Sequence, residues 1–335
     1  MKILSKKGLM AISAAGLAVS LTACAGGSPT PAADAEEGWT PEENITMIVP
    51  FSVGGGSDMF ARAVASGLEE VRPGINVTVE NREGGSGTIG YSYFLEQKGN
   101  PHFLLPTETG LISGPARNDA LLYDWQSFTM LGMLVDDVNW IVANKDSGWD
   151  DFDEFVKAAK KASDNGDPLT VGLPSADGTE AVPTKDLLGQ LGIDVEPVIF
   201  DGGGETIPSL LAGDIDVMVA NAGEVVGQIE SGDFVPLIGY GDTTIDEGGF
   251  KGVPTTGTLD YDVDLDFGQF RGVLAPPEIP EEAQEYYIAA LKDWVETDSF
   301  KEYVKSAGLT VKTRWGQEWQ EYINELAEEF VSVYG

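Results

Sequence analysis

The sequence predicts an α/β fold in two lobes, each a mostly parallel sheet flanked by helices, with a ligand cleft between them. Three observations lead to it. Short apolar runs rich in β-branched and aromatic residues alternate with helical stretches, the pattern of parallel strands joined by helical crossovers. Four of the strand-to-helix turns, 52–58, 81–90, 174–180 and 201–206, carry glycines beside serine, threonine or acidic residues. The alternation runs from about Ile45 to the end of a 335-residue chain, too long for one small sheet. Ligands in open α/β sheets sit beyond the carboxyl ends of the strands, where all four turns fall. Two such edges facing each other would clamp one small molecule.

Residues Met1–Ala23 read as an export leader. Lys2, Lys6 and Lys7 make a positive start, and Leu9–Leu21 an apolar stretch too short to span a bilayer comfortably. Leu21-Thr22-Ala23-Cys24 then reads as a lipobox, with cleavage before Cys24 and a lipid on its thiol. No later segment is long and apolar enough to cross a membrane, so the mature chain should be anchored rather than spanning. Residues 24–43 are small, polar and proline-bearing, and read as a flexible tether.

Ile45–Phe51 is a buried strand by its β-branched and aromatic content. Gly54, Gly55 and Gly56 follow, then Ser57 or Asp58 as a helix cap, with Met59, Ala63, Val64, Gly67, Leu68 and Val71 at helical spacing. Strand, glycine loop and helix N-terminus present free backbone N–H groups at the positive end of a helix dipole, a setting that suits an anion. Val77–Glu80 repeats the pattern into Asn81–Gly90. Phe103–Leu105, Thr129–Leu134 and Trp140–Ala143 read as strands, and Asp150–Ser163 as a helix capped by Asp150 or Asp151. Strand Leu169–Leu173 leads to helix Glu180–Leu191, and strand Val195–Phe200 to helix Thr206–Leu211. Strand Ile215–Ala220, helix Glu224–Ser231 and strand Val235–Tyr240 follow. Asp242–Asp266 is an acidic, turn-rich loop. Strand Gln269–Ala275 and helices Glu281–Thr297 and Gly316–Val333 close the chain, with a short helix and strand near Phe300–Val311 between them. The expected division is 44–105 plus about 236–280 for lobe 1 and 106–235 for lobe 2, with 281–335 packed across both.

The formal net charge of −35 argues against nucleic acid or an anionic membrane surface as partner, since both reward clustered Lys and Arg. An anion receptor this acidic must outweigh its own field with local donors, helped by screening beyond about 10 Å. One Cys and one His rule out an internal disulfide and leave Cys₂His₂ zinc sites and Cys/His pairs without their parts. A Ser-His-Asp triad could be built only on His102, which precedes an apolar strand and reads as structural. Gly85-Ser86-Gly87-Thr88-Ile89-Gly90 matches the dinucleotide fingerprint, with Glu108 near the usual acidic spacing, but its loop from Asn81 is long and the match short. Acidic pairs such as Asp136-Asp137 and Asp214/Asp216 have no EF-hand spacing and arise by chance in so acidic a chain. No cofactor or metal is expected.

VPFSVGGGSDMFAR from Val49, VENREGGSGTIG from Val79 and FDGGGETIPSLLAGDIDV from Phe200 resemble signature segments of the tripartite tricarboxylate transporter substrate-binding proteins, the TctC or Bug family. YDWQSFTMLG near Tyr123 and RGVLAPPEIP near Arg271 continue the similarity in family order. The resemblance implies a type II periplasmic-binding-protein-like fold and an extracytoplasmic receptor, not an enzyme, that hands an organic anion to membrane permease subunits. It implies a site of backbone N–H groups and hydroxyls: Ser52, Gly54, Gly55, Gly56, Ser57 and Asp58 in the first loop, and Gly85, Ser86, Gly87 and Thr88 in the second. Ser175, Gly178 and Thr179 in the third loop and Gly202, Gly203, Gly204 and Glu205 in the fourth join them, with Thr107, Thr109 and Asn221 alongside. Asp58 and Glu205 should brace their loops. Many family members carry Gly-Ser and a His in the third loop, where this chain has Gly178-Thr179-Glu180. GGGE in the fourth loop resembles the tricarboxylate-binding branch, which points to citrate, with a dicarboxylate as the alternative. A monomer held to the membrane through Cys24 alone is the expected state. Two rival classes remain: an exported α/β hydrolase using a carboxylate pair, and a surface interaction module without a small ligand.

Overall fold

The computed structural model describes residues 38–334 except 119, 177–179, 242–243, 246–247 and 260–268. The leader, Cys24, most of the tether, Gly178 and Thr179 therefore lie outside the described residues.

The first sheet has six strands in the order β11-β4-β10-β3-β1-β2. They are β1 (Ile45–Val49), β2 (Val77–Asn81), β3 (Phe103–Glu108), β4 (Thr129–Asp137), β10 (Gln269–Ala275) and β11 (Thr310–Trp315). Side chains alternate across a strand, so β1 feeds two cores at once. Ile45, Met47 and Val49 pack with α1 (Gly56–Val71), α8 (Glu281–Val295) and α9 (Asp298–Ser306). Ile48 points the other way, towards α2 (Thr88–Leu95), α3 (Gly110–Arg117) and α10 (Gly316–Tyr334). Burial on both faces explains why β1 reads as a nearly continuous apolar run, interrupted only by the half-buried Thr46.

The second sheet has five strands in the order β7-β6-β8-β5-β9. These are β5 (Asn139–Asn144), β6 (Leu169–Leu173), β7 (Val195–Ile199), β8 (Val217–Asn221) and β9 (Phe234–Gly239). Ile141 and Ala143 face α4 (Phe152–Asp164) and α5 (Ala181–Gln190), whereas Trp140 and Val142 face α6 (Gly203–Ala212) and α7 (Ala222–Ser231). Asp151 caps α4 by accepting from Glu154 N at 2.9 Å, and Phe152, Phe155 and Ala159 are its buried face.

The predicted parallel alternation covers β1–β2–β3 and β6–β7–β8, while β5 and β10 run antiparallel to their neighbours. The reason is where the chain changes sheet. β4 ends at Asp137 and β5 begins at Asn139, so the first crossing is Val138 alone; the return runs from β9 to β10. Both crossings lie at the edge where β3 and β8 end, since Arg271 pairs with Glu108 and Asn139 with Asn221. A strand that starts at that edge must run opposite to strands that finish there.

Three expected boundaries move. β4 belongs to the first sheet and β9 to the second, so the change of sheet falls at Val138 rather than at 106, and the return after Gly239 rather than at 236. Residues 281–335 also supply an edge strand, β11, and pack their helices on the two faces of the first sheet. The tether ends before Trp39, whose ring lies 6.0 Å from His102, 5.4 Å from Tyr286 and 5.6 Å from Tyr287. A tryptophan buries too much apolar area to stay in a solvated linker. His102 is therefore part of an aromatic cluster at the end of β3 away from the cleft.

Candidate ligand-binding cleft between the sheets

The described parts of the glycine-rich turns meet where the two sheets face each other, but with different tasks. Turns 52–58 and 201–206 lie backbone to backbone. Ser52 N donates to the Asp201 carbonyl at 2.9 Å. A Cβ on Gly55 would sit 3.3 Å from Gly203 N, and one on Gly204 would overlap the Val53 carbonyl oxygen. Glycine is required here for approach, not only for turning. Asp58 braces the first turn, accepting from Gly54 N at 3.0 Å, Arg62 at 2.9 Å and Asn81 Nδ2 at 3.0 Å. Burial pushes its carboxyl up, but the bonds from Arg62, Gly54 and Asn81 outweigh this and hold it below its ordinary value. Glu205 braces the fourth turn through Asp201 N at 3.4 Å.

The N-terminus of α1 does hold an anion, and that anion belongs to the protein. Gly56 N donates to Glu224 Oε1, and Asn221 N donates to Glu224 Oε2 at 3.0 Å. Glu224 comes from the second sheet's α7, so its carboxylate ties the two sheets across the position read as a ligand site. A helix N-terminus does not distinguish a side-chain carboxylate from a solute's.

The room for a solute lies to one side. A cavity of about 150 Å³ is lined by Phe51, Gly85, Ser86, Thr88, Tyr91, Glu108, Gly110, Ser113, Gly114, Asn118, Leu121, Tyr123 and Ser175. Gly84, Gly85, Ser86 and Gly87 all have positive φ, at 120°, 60°, 53° and 90°. That left-handed run is strained at Ser86, and it turns the second loop over the cavity, where Ser86 Oγ accepts from Ala176 N at 3.4 Å. Tyr91 and Tyr123 stack at 5.0 Å to form one wall. Ser113 Oγ, with no exposure, has no hydrogen-bond partner among the described residues.

A smaller pocket adjoins this cavity and shares Phe51, Glu108 and Ser175 with it; Gly55, Gly56, Ser57, Glu180, Gly202, Gly203, Asn221 and Glu224 are among its other lining residues. Its floor is a buried polar network. Arg271, only 2 % exposed, donates Nε to Asp137 Oδ2 at 2.6 Å, Nη1 to Glu108 Oε2 at 3.3 Å and Nη2 to Asn221 Oδ1 at 2.6 Å. Gln269 Nε2 reaches both Glu108 Oε2 and Glu180 Oε1 at 3.1 Å, and Ser57 Oγ donates to Glu108 Oε2 at 2.8 Å. Asn221 Nδ2 donates to Asn139 Oδ1 at 2.9 Å and Gln269 Oε1 at 2.7 Å. Four acidic side chains thus lie around one guanidinium, Asp137 and Glu108 bonded to it and Glu180 and Glu224 within reach of its charge.

Burial and the neighbouring Glu108 charge raise the Glu180 carboxyl to about 8. Burial raises Glu224 to about 7 against the pull of Arg271, and raises Asp137 in the same way. Opening the cleft would hydrate Glu180 and Glu224 and return them towards their ordinary value of 4.5. Their protonated forms therefore favour closure. That contribution is fully present below the open-state value and is lost as pH rises through about 7 and then 8. Glu108, Asp137 and Arg271 face the same groups and set the size of the effect. The ligand-free protein should have a larger radius of gyration by small-angle scattering at about pH 8.5 than at about pH 6. Equal radii at both would rule the linkage out.

Of the residues expected from sequence, Gly55, Gly56, Ser57, Ser175, Gly202, Gly203 and Asn221 line the smaller pocket, and Gly85, Ser86, Thr88 and again Ser175 the larger cavity. Ser52, Gly54, Asp58, Gly87, Gly204 and Glu205 shape or brace the turns and line neither. Thr107 is spent on Tyr91 OH at 3.0 Å, and Thr109 Oγ1 accepts from Phe270 N at 3.1 Å. Tyr91, Ser113, Tyr123, Glu224, Gln269 and Arg271 were not expected. Arg271 and Gln269 sit on one face of β10 at period two, a polar pair in an apolar strand, which was the available signal.

Residues 60–332 match a sequence model described as the tripartite tricarboxylate transporter family receptor. A protein of Agrobacterium vitis from the TAR-I ttuE-ttuC' intergenic region is 27% identical over 271 residues, covering 75% of this chain and 71% of its own. The periplasmic binding protein BugD superposes with a TM-score of 0.81 at 22% identity, covering 88% of this chain and 97% of its own. MatC from Rhodopseudomonas palustris, solved with bound malate, has a TM-score of 0.75 at 22% identity, covering 88% of this chain and 98% of its own. The fold is that of periplasmic binding proteins, and the chain belongs to the tripartite tricarboxylate transporter receptor family, whose members are solute-binding receptors rather than enzymes.

Proposed function

We propose that this chain is an exported, lipid-anchored monomer that binds a small organic carboxylate and delivers it to the membrane permease subunits of a tripartite transporter. The observation that carries the reading is the hydroxyl-lined cavity of about 150 Å³ between the sheets, in a chain of this family. Ser86, Thr88, Ser113 and Tyr123 offer hydroxyls for a carboxylate, with no lysine or arginine among the described lining residues. The described lining of the adjoining pocket holds Glu108, Glu180 and Glu224 and no lysine or arginine, so the third carboxylate of an acid such as citrate would find no cation of its own there. A smaller acid of the size of malate, bound in the similar MatC, fits this reading better. Hydrogen bonds to charged groups are worth roughly 1.5–3 kcal/mol each, so several are needed for the roughly 8 kcal/mol of micromolar binding.

A thermal-shift screen over small organic and amino acids tests the reading. A ligand at about 100 times its Kd adds about 2.7 kcal/mol of stability, a clear rise in melting temperature. No shift with any member would overturn it. Anchoring is tested separately: Cys24→Ala should release the protein from the membrane fraction, and a variant that still sediments with lipid would contradict the lipobox. No helix among the described residues is long and apolar enough to cross a membrane in its place.

A further inference from the structure

We propose that Asn139, Asn221 and Gln269 form a side-chain clasp across the first crossing between the sheets, and that they are positioning residues for solute binding, holding the two halves of the cleft in register for closure. This rests on the receptor reading, because closure serves binding only where a solute is captured.

The first crossing is Val138 alone, and ladder pairs flank it on both sides. Asp137 pairs with Gln269 of the first sheet, and Asn139 with Asn221 of the second. One residue supplies two soft backbone dihedrals, which by themselves would let the sheets twist as well as bend. Side chains close a ring over it. Asn221 Nδ2 donates to Gln269 Oε1 at 2.7 Å and to Asn139 Oδ1 at 2.9 Å, so the ladder partners on either side of Val138 are bonded to each other. Arg271 Nη2, from the first sheet, donates to Asn221 Oδ1 at 2.6 Å as a second strut. All three amide side chains are buried.

The amides are held in one orientation. An arginine only donates, so Asn221 must turn its oxygen to Arg271 and its nitrogen to Asn139 and Gln269. Gln269 presents its nitrogen to Glu108 Oε2 and Glu180 Oε1 at 3.1 Å each, which leaves its oxygen for Asn221. Asn221 lines the smaller pocket, yet both its donors and its oxygen are engaged within the protein. Its task is mechanical rather than contact with the solute.

A bond beside the crossing lengthens little when the sheets bend about it, whereas a twist or a slide breaks it. The clasp therefore permits the bend that opens the cleft and resists the other motions. Without it, binding must also arrest those motions, and the added ordering cost lowers affinity.

Asn139→Ala in the full chain tests the proposal, because Asn139 lines neither cavity and its loss removes a bond of the clasp without altering the lining. Small-angle scattering reads the sheets, and calorimetry with an acid found in the thermal screen reads binding. The variant should have a larger solute-free radius of gyration than the parent at the same pH, the parental radius once saturated, and an affinity at least five-fold lower. Asn139→Thr, a strand-forming residue whose hydroxyl stands one bond short of Oδ1, takes its place if the alanine variant does not fold. A parental solute-free radius would overturn the proposal whatever the affinity. Parental affinity despite a larger radius would overturn it too, leaving the receptor reading intact. A parent that binds no acid would remove the receptor reading, and with it the role in binding, while the solute-free radii would still decide whether the clasp restrains the sheets.

Discussion

A valine at Gly204 will hold the cleft open and reduce solute affinity at least a hundredfold while both sheets stay folded. Gly204 lies in the first turn of α6, where a Cβ would overlap the Val53 carbonyl oxygen and lie 3.1 Å from Gly55 N. Both obstacles are backbone, so no rotamer change relieves them, and the loops must separate. That separation breaks the bond from Ser52 N to Asp201 and pulls Gly56 N away from Glu224. A hundredfold loss corresponds to about 2.7 kcal/mol, within reach of losing two or three such bonds. The core of the second sheet near α6 is built from Leu210 and Ile207, which the substitution leaves alone. Lys157→Ala, at an exposed position of α4, is the control and should bind as the parent does. Calorimetry with a solute found in the thermal screen, paired with scattering, reads both effects. Parental affinity in the valine variant would show that loop-to-loop closure is not part of binding.

Arg271→Met will cost about 3–5 kcal/mol of stability at neutral pH, the usual penalty for removing one partner of a buried ion pair. Its side chain is 2 % exposed and fills the floor beneath Gly56, where a Cβ would overlap its Nη2. Methionine replaces the aliphatic stem but leaves Asp137, whose Oδ1 already has no hydrogen-bond partner among the described residues, without its cation. The loss should shrink at about pH 5. Without the guanidinium the buried carboxyls take up protons in the folded state at pH values where the unfolded chain has released them, so stability falls as pH rises. Urea melts at about pH 5 and pH 7 measure both numbers. A variant as stable as the parent at both would mean that the network contributes nothing net.

Much of the fold was legible because it is encoded locally. Ile45–Val49 carries its own strand signal, Gly54–Gly56 its turn, Asp151 its cap and Phe152, Phe155 and Ala159 their helical face, each signal lying within a dozen residues of the element it shapes. Gln269–Ala275 was placed at its bounds for the same reason. Strand partners were not so encoded. Nothing near Thr310–Trp315 says that it pairs with β4, and nothing near Thr129–Asp137 says which sheet it joins, because ladder bonds are made by backbone groups common to every residue.

The candidate site divides along the same line. By itself the sequence determined that four glycine-rich turns sit at strand ends, that no cysteine or histidine chemistry is available, and that family and fold follow from the motifs. Only the tertiary structure decided what those turns hold. The amide of Gly56 finds Glu224, 168 positions further along the chain, and Arg271 finds Glu108 and Asp137, 163 and 134 positions away. A glycine loop advertises free N–H groups in its own sequence, but whether a solute or a side chain from the other sheet satisfies them depends on where the chain folds back. Charge follows the same rule: acidic residues look alike along the chain, and only packing that removes water from Glu180 and Glu224 turns two of them into carboxyls that titrate near neutrality.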